Sequence, residues 1–348
     1  MEIDKLWSFS DVVTYLEKNG RQKHLLLGNG FSMAYDTKIF SYNALSDFIE
    51  KTDNQLLKKL FSAVNTKNFE QIMQQLDNFC EIAQIFSTDT ELVKKIKDAG
   101  LTLKSSLIEA VKELHPEHVF VIPEVNSKKC SLFLEGFLSK GGKIFSTNYD
   151  LLLYWVLMRN NSKFAIDGFG RDLENPEDFV KEDNLEFSEL RWGKYKEEQT
   201  VHHLHGALPI FDTGLEIVKE EYDTRNYLLE KIKQRMENKD YPIFVTAGNA
   251  KEKLNHIMHN KYLSFCYDEL TAIKGSLITF GFNFGEYDSH IIDAINKAAH
   301  YGKKSGDKLF STYIGVYSDK DLGHIESIKG KFKCKVTAYN ARTAEIWR

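Results

Sequence analysis

The sequence predicts an α/β protein, a Rossmann-like parallel sheet with helices on both faces, interrupted by a helical insertion. Two observations lead there. Short apolar runs recur along the chain and end in Gly, Asn or Asp. Stretches with helical periodicity separate them. Short apolar runs that alternate with helical segments suit the strands of a parallel sheet covered on both faces.

Five runs qualify as strands: residues 24–28, 143–147, 200–204, 276–280 and 309–317. More than one hundred residues separate the first two. In that span Phe69, Ile72, Met73 and Leu76 share one helical face, and Leu107, Ile108, Val111 and Leu114 share another. Residues 43–140 therefore read as a helical insertion or subdomain within a single domain spanning 1–348. Residues 165–198 form a second, charged insertion that includes Trp192, and 214–240 read as an exposed charged helix. Charged peripheral helices of this kind are expected to pack, solvated, on the core. A lid or a partner surface is the alternative.

Composition narrows the function classes. The chain of 348 residues is 42% hydrophobic and 28% charged, the balance of an ordinary globular enzyme. Its net charge of −4 gives no broad basic face for nucleic acid. No apolar run is long enough to span a membrane, and the N-terminus lacks the apolar core of a signal peptide. The four cysteines, Cys80, Cys130, Cys266 and Cys334, are scattered, so they build no zinc ribbon and fit reduced thiols in a cytoplasmic protein.

Four motifs follow predicted strands, where parallel sheets bind ligands. The first is Gly28-Asn29-Gly30-Phe31-Ser32. Its glycines permit close approach of a phosphate, yet a tight turn explains them equally. Met33 stands where a dehydrogenase fingerprint needs its third glycine, so hydride transfer is not expected. The second motif, Ser146-Thr147-Asn148-Tyr149-Asp150, ends in a residue that could cap the following helix. The third holds His203, His205 and Gly206. Strand alternation would put His203 and His205 on one face, but no third ligand has fixed spacing, so no metal is expected. His256 and His259 read as helix surface. The fourth runs from Gly281, Phe282 and Asn283 to Asp288 and His290. Asp288 is either a ribose contact or a helix cap.

The ordered set GNGFS, STNYD, LHG and GFNFGEYD resembles the sirtuin-like (SIR2-like) superfamily, whose corresponding segments surround NAD. It is also similar to a bacterial branch of that superfamily over most of residues 20–300, including residues 244–248, Lys253, Tyr262, Leu263 and Tyr267. The chain lacks the four-cysteine zinc module of the protein deacylases, and Phe40-Ser41-Tyr42-Asn43-Ala44 replaces their Gly-Ile-Pro-Asp-Phe-Arg segment.

The resemblance thus implies a zinc-less NAD glycohydrolase of antiphage defence. Such an enzyme takes NAD as its substrate, needs no metal and is expected to oligomerise. It would answer to a sensor protein from the same operon, such as a nucleotide pyrophosphatase-like protein or an ATPase. An NAD-binding module without catalysis, and a deacylase or ADP-ribosyltransferase, are the alternatives. On this reading Asn148 positions the nicotinamide ribose and a water, and His205, titrating near neutrality, is the general base. Gly28, Asn29, Gly30, Phe31 and Ser32 hold the diphosphate, while Thr147 and Asp150 orient the site. Gly281, Phe282, Asn283 and Asp288 lie toward adenosine.

Overall fold

The computed structural model describes residues 2–37, 55–64, 69–86, 90–116, 118–171, 190–221, 227–238, 240–245, 249–299 and 305–348. At its centre is a seven-stranded sheet in which every pairing is parallel. The order is β1 (Trp7–Ser8), β12 (Lys335–Asn340), β11 (Leu309–Val316), β10 (Gly275–Phe280), β2 (Lys23–Leu27), β3 (Ile144–Ser146) and β6 (Val201–His203). All five predicted strands are in it. The two extra strands escaped the sequence reading for physical reasons. β1 has only two residues, and β12 is half polar, with an exposed Lys335.

Each face of the sheet carries its own core. Leu25, Leu27, Ile144, Ile278 and Phe280 pack under α1 (Phe9–Lys18), α6 (Glu124–Leu138) and α7 (Leu152–Arg159). Leu26, Phe145, Leu277, Ile314 and Val316 pack under α10 (Lys261–Thr271), α11 (Ser289–Ala298) and α12 (Asp319–Ile328). Fully burying each such side chain is worth about 1.5–3 kcal/mol, so both layers hold the sheet. Local sequence sets where helices begin. Ser8 with Asp11, and Ser318 with Asp321, close capping boxes at α1 and α12. No helix among the described residues is long and apolar enough to cross a membrane.

The chain walks outward from β2 through β3 to β6, then returns to the other side of β2 and walks outward through β10, β11 and β12. That is a doubly wound, Rossmann-like order, and its direction reverses between β2 and β10. The strand ends beside such a switch point form a crevice.

A second sheet is built from strands on either side of β6 in the chain. It is antiparallel, in the order β4 (Phe169–Arg171), β5 (Leu190–Trp192), β8 (Ile217–Lys219), β7 (Gly206–Asp212) and β9 (Pro242–Phe244). The segment expected as a charged insertion therefore supplies two strands. Its residues 172–189 lie outside the described set. Residues 214–240, expected as one exposed charged helix, instead hold β8 and then α8 (Leu228–Glu237), whose Leu228, Leu229 and Ile232 are buried, so the helix is only half exposed.

The long helical segment divides. Ile72, Leu76 and Cys80 of α4 (Phe69–Phe86) meet Ile96, Ala99 and Leu103 of α5 (Thr90–Leu114) in a separate small core, with Leu60 of α3 (Gln55–Val64) against it. The side chains of Phe69, Met73, Leu107, Ile108, Val111 and Leu114 lie outside the described set. By contrast α6, expected within the insertion, buries Cys130, Leu134 and Phe137 in the main core.

Candidate functional site

Four adjacent strands, β10, β2, β3 and β6, end together. Phe280 pairs with Leu27, Leu27 with Ser146, and Ser146 with His203, so these residues form one row across the sheet. One step past that row stand Gly281, Gly28, Thr147 and Leu204. Two steps past stand Phe282, Asn29, Asn148 and His205. Motifs far apart in sequence thus share one carboxyl edge.

At the switch point two glycine turns press together. Gly28 N–H donates to Phe280 O at 3.0 Å, and Gly30 N–H donates to Gly281 O at 2.9 Å. A Cβ on Gly30 would lie 2.5 Å from Gly281 Cα, and Gly281 has φ +68°. Backbone-to-backbone approach therefore requires these glycines in their own right. In this arrangement the Gly28 and Gly30 amides are bonded within the protein. Ser32, the half-buried Asn29 and the rest of α2 (Asn29–Tyr35) follow. Phe31 is buried against Trp347, whose indole N–H donates to Phe31 O at 3.0 Å. That makes Phe31 an anchor of the turn.

Ser32 joins the first motif to the second. The Asn148 side-chain amide donates to Ser32 Oγ at 2.9 Å, and the Ser32 hydroxyl donates to Asp150 Oδ2 at 2.5 Å. Asp150 Oδ1 accepts the Leu152 amide at 2.9 Å, so Asp150 also starts α7. Burial pushes the Asp150 carboxyl pKa up, and the Ser32 and Leu152 hydrogen bonds oppose it. Asn148, Asp150 and Ser32 are all buried. Thr147 bonds back to Leu27 O through its amide.

Beneath this turn sits His115, which the sequence reading did not single out. Its Nε2 accepts the Leu151 amide at 3.0 Å, while Nδ1 bonds Pro116 O at 3.1 Å. Those two contacts fix a neutral tautomer with the proton on Nδ1. Burial holds its pKa down at about 4.

His205 lies just beyond β6, which stops at His203, so the two do not share a strand face as alternation suggested. The following Gly206 has φ +83°, and a Cβ there would meet Ile243 O at 1.9 Å. The turn that delivers His205 into β7 is therefore closed to larger residues. The expected near-neutral titration of His205 is corrected. Burial, then the nearby His290 and Lys253, depress its pKa well below the ordinary imidazole value. At neutral pH it is uncharged.

His290, another residue the sequence reading did not single out as a site residue, meets His205 Nε2 to Nε2 at 2.9 Å. It sits in the first turn of α11, and its carbonyl accepts the Tyr267 hydroxyl at 3.0 Å. Asp288 does not cap that helix with its side chain. Instead Asp288 Oδ1 accepts from Lys253 Nζ at 3.0 Å. Lys253 comes from α9 (Ala250–His259) and is fully buried, so its ammonium needs this partner. Asn283 is exposed and its Oδ1 accepts the Gly285 amide, while Phe282 is buried. His256 and His259 are exposed on α9, as expected.

Only distance in sequence hid His290. Its signal was a histidine on an otherwise apolar helix face, beside Ile291, Ile292 and Ala294.

Residues 25–347 match the family described as Domain of unknown function (DUF4917), and the chain belongs to it. No curated protein matches the chain.

Proposed function

We propose that the chain is an NAD glycohydrolase, cleaving NAD to nicotinamide and ADP-ribose on a sirtuin-like version of its Rossmann-like core. One observation supports this above others: four motifs that resemble the NAD-surrounding segments of the superfamily end four neighbouring strands beside the switch point. Crevices there take dinucleotides in doubly wound sheets.

The chemistry asks little of acid and base. Nicotinamide leaves as a neutral group from a cationic ring, through an oxocarbenium-like transition state, so no strong acid is required. Asn148, held by Ser32, offers its carbonyl oxygen and remaining amide hydrogen to ribose and water. His205, neutral at pH 7, has a lone pair for the proton of the attacking water. Attack on so reactive a cation tolerates a weak base. The biological role proposed with it is NAD depletion in antiphage defence, released by a sensor protein from the same operon.

The test is chromatographic measurement of nicotinamide release, in cells that also express the neighbouring genes. Asn148→Ala and His205→Ala should each lower turnover by about 100-fold or more. Turnover equal to wild type in both variants would sink the reading. The burial of His205, 3% exposed, favours a second reading in which NAD is bound without cleavage. Calorimetric binding of NAD with no product, even with the neighbouring proteins present, would select it.

A further inference from the structure

Two imidazoles and a carboxylate converge at the end of β6. One donor atom from each of His205, Asp288 and His290 lies within 4.8 Å of the others. His205 Nε2 and His290 Nε2 are 2.9 Å apart. Both histidines are buried and Asp288 is half-buried, so bulk water does little to dilute the group. Three acceptor-capable atoms face one another, and a single hydrogen between the imidazoles satisfies only one contact.

We propose that His205, His290 and Asp288 form a binding site for a divalent first-row transition ion of the zinc or cobalt type. The donor set is the mixed imidazole and carboxylate set such ions take. Spacing is near what such an ion needs: two nitrogens about 2.1 Å from one ion at the tetrahedral angle lie about 3.4 Å apart, so the rings, now 2.9 Å apart, must part by about 0.5 Å. Beyond that small opening, only the ring that donates in the present contact has to shift its proton from Nε2 to Nδ1.

Lys253 is the group that works against the ion. Its ammonium is a built-in cation on Asp288 Oδ1. Asp288 has a second oxygen, so the carboxylate can bridge Lys253 and the ion, with Lys253 orienting it as outer partners of ligating carboxylates do. The same charge repels the ion, and this gives the site an adjustable affinity. The site stands on geometry alone. Its consequence rests on the proposed function: an ion on His205 Nε2 takes the lone pair the attacking water needs, so the metal is an inhibitor of NAD cleavage.

The experiment titrates the purified full chain with Co2+ and follows visible d–d absorption, with no NAD present. Wild type should give saturable bands at one ion per chain, displaced by Zn2+. His290→Gln keeps the Lys253–Asp288 pair and should weaken binding at least about tenfold. Lys253→Met keeps the buried stem, removes the competing charge and should tighten binding. Circular dichroism checks that each variant is folded. Absence of bands in wild type, or unchanged affinity in folded His290→Gln, overturns the site. Cobalt bands in a chain that never releases nicotinamide would leave the site standing and count against the glycohydrolase alone.

Discussion

Two polar clusters share the carboxyl edge of the sheet, and they are built on opposite plans. In the Asn148–Ser32–Asp150 cluster hydrogen bonds run in one direction, from amide to hydroxyl to carboxylate, and the carboxylate also starts a helix. In the His205–His290–Asp288–Lys253 cluster the groups touch in pairs, and His290 Nδ1 has no hydrogen-bond partner. The first is a closed circuit whose members hold one another in place. The second keeps lone pairs in reserve. A buried polar group is costly unless it is satisfied, so Ser32 and Asp150 are expected to govern stability while they hold Asn148 for the substrate, and the second cluster is expected to govern chemistry.

The sharpest way to break that contrast is to remove the closing carboxylate. Asp150→Ala strands the Ser32 hydroxyl and the Leu152 amide at once, and should lower unfolding free energy by about 2–4 kcal/mol in denaturant titration. A loss below about 1 kcal/mol would mean the circuit is not structural. Ser32→Ala removes one link and should cost about 1–2 kcal/mol by the same measurement.

Acid should weaken both clusters, because His115 beneath the first and His205 and His290 in the second all have pKa values depressed by burial. The folded pKa of buried His115 is about 4, below its ordinary 6.5. The unfolded chain therefore binds a proton that the folded chain refuses. Its contribution to stability is complete above pH 6.5 and is lost as pH falls toward 4, at roughly 1 kcal/mol per pH unit. Denaturation curves at pH 7 and pH 5 should show this slope, and His115→Gln should show a shallower one. An unchanged slope would place His115 in contact with water. The smallest stability effect is expected in the second cluster. His290→Gln should lower unfolding free energy by about 1 kcal/mol, the value of one buried hydrogen bond, and lower NAD turnover by about tenfold through a misplaced His205. Equal turnover with wild type would leave His290 without a positioning role.

Legibility from the sequence followed range. Strands buried on both faces were readable because Leu25, Leu26 and Leu27 leave no polar position to alternate with. The glycines were readable as turns, but not their cause, which is the opposing backbone at Gly281, 251 positions beyond Gly30. Asp150 was readable as a cap and as a site residue; in the structure the N-cap position of α7 is Leu151, and Asp150, one residue earlier, accepts the Leu152 amide. The antiparallel sheet was not readable. Four of its five strands have only three residues, β7 follows directly on the turn after β6, and the charges that suggested an exposed insertion are partly neutralised at close range, as Lys219 is by Asp167 and Arg235 by Glu220 and Asp240.

What the sequence determined by itself was local: five strands of the central sheet, the helical runs between them, and the four turns that could face a ligand. These depend on neighbours within a few residues. Tertiary structure decided which turns meet, because strand order in a doubly wound sheet differs from chain order. It placed β10 beside β2 and so set Gly281 against Gly30. It brought His290 and Lys253 to His205 and Asp288, and it buried His205 enough to keep it neutral. Burial and long-range charge set a side chain's chemistry, and neither exists before the chain has folded.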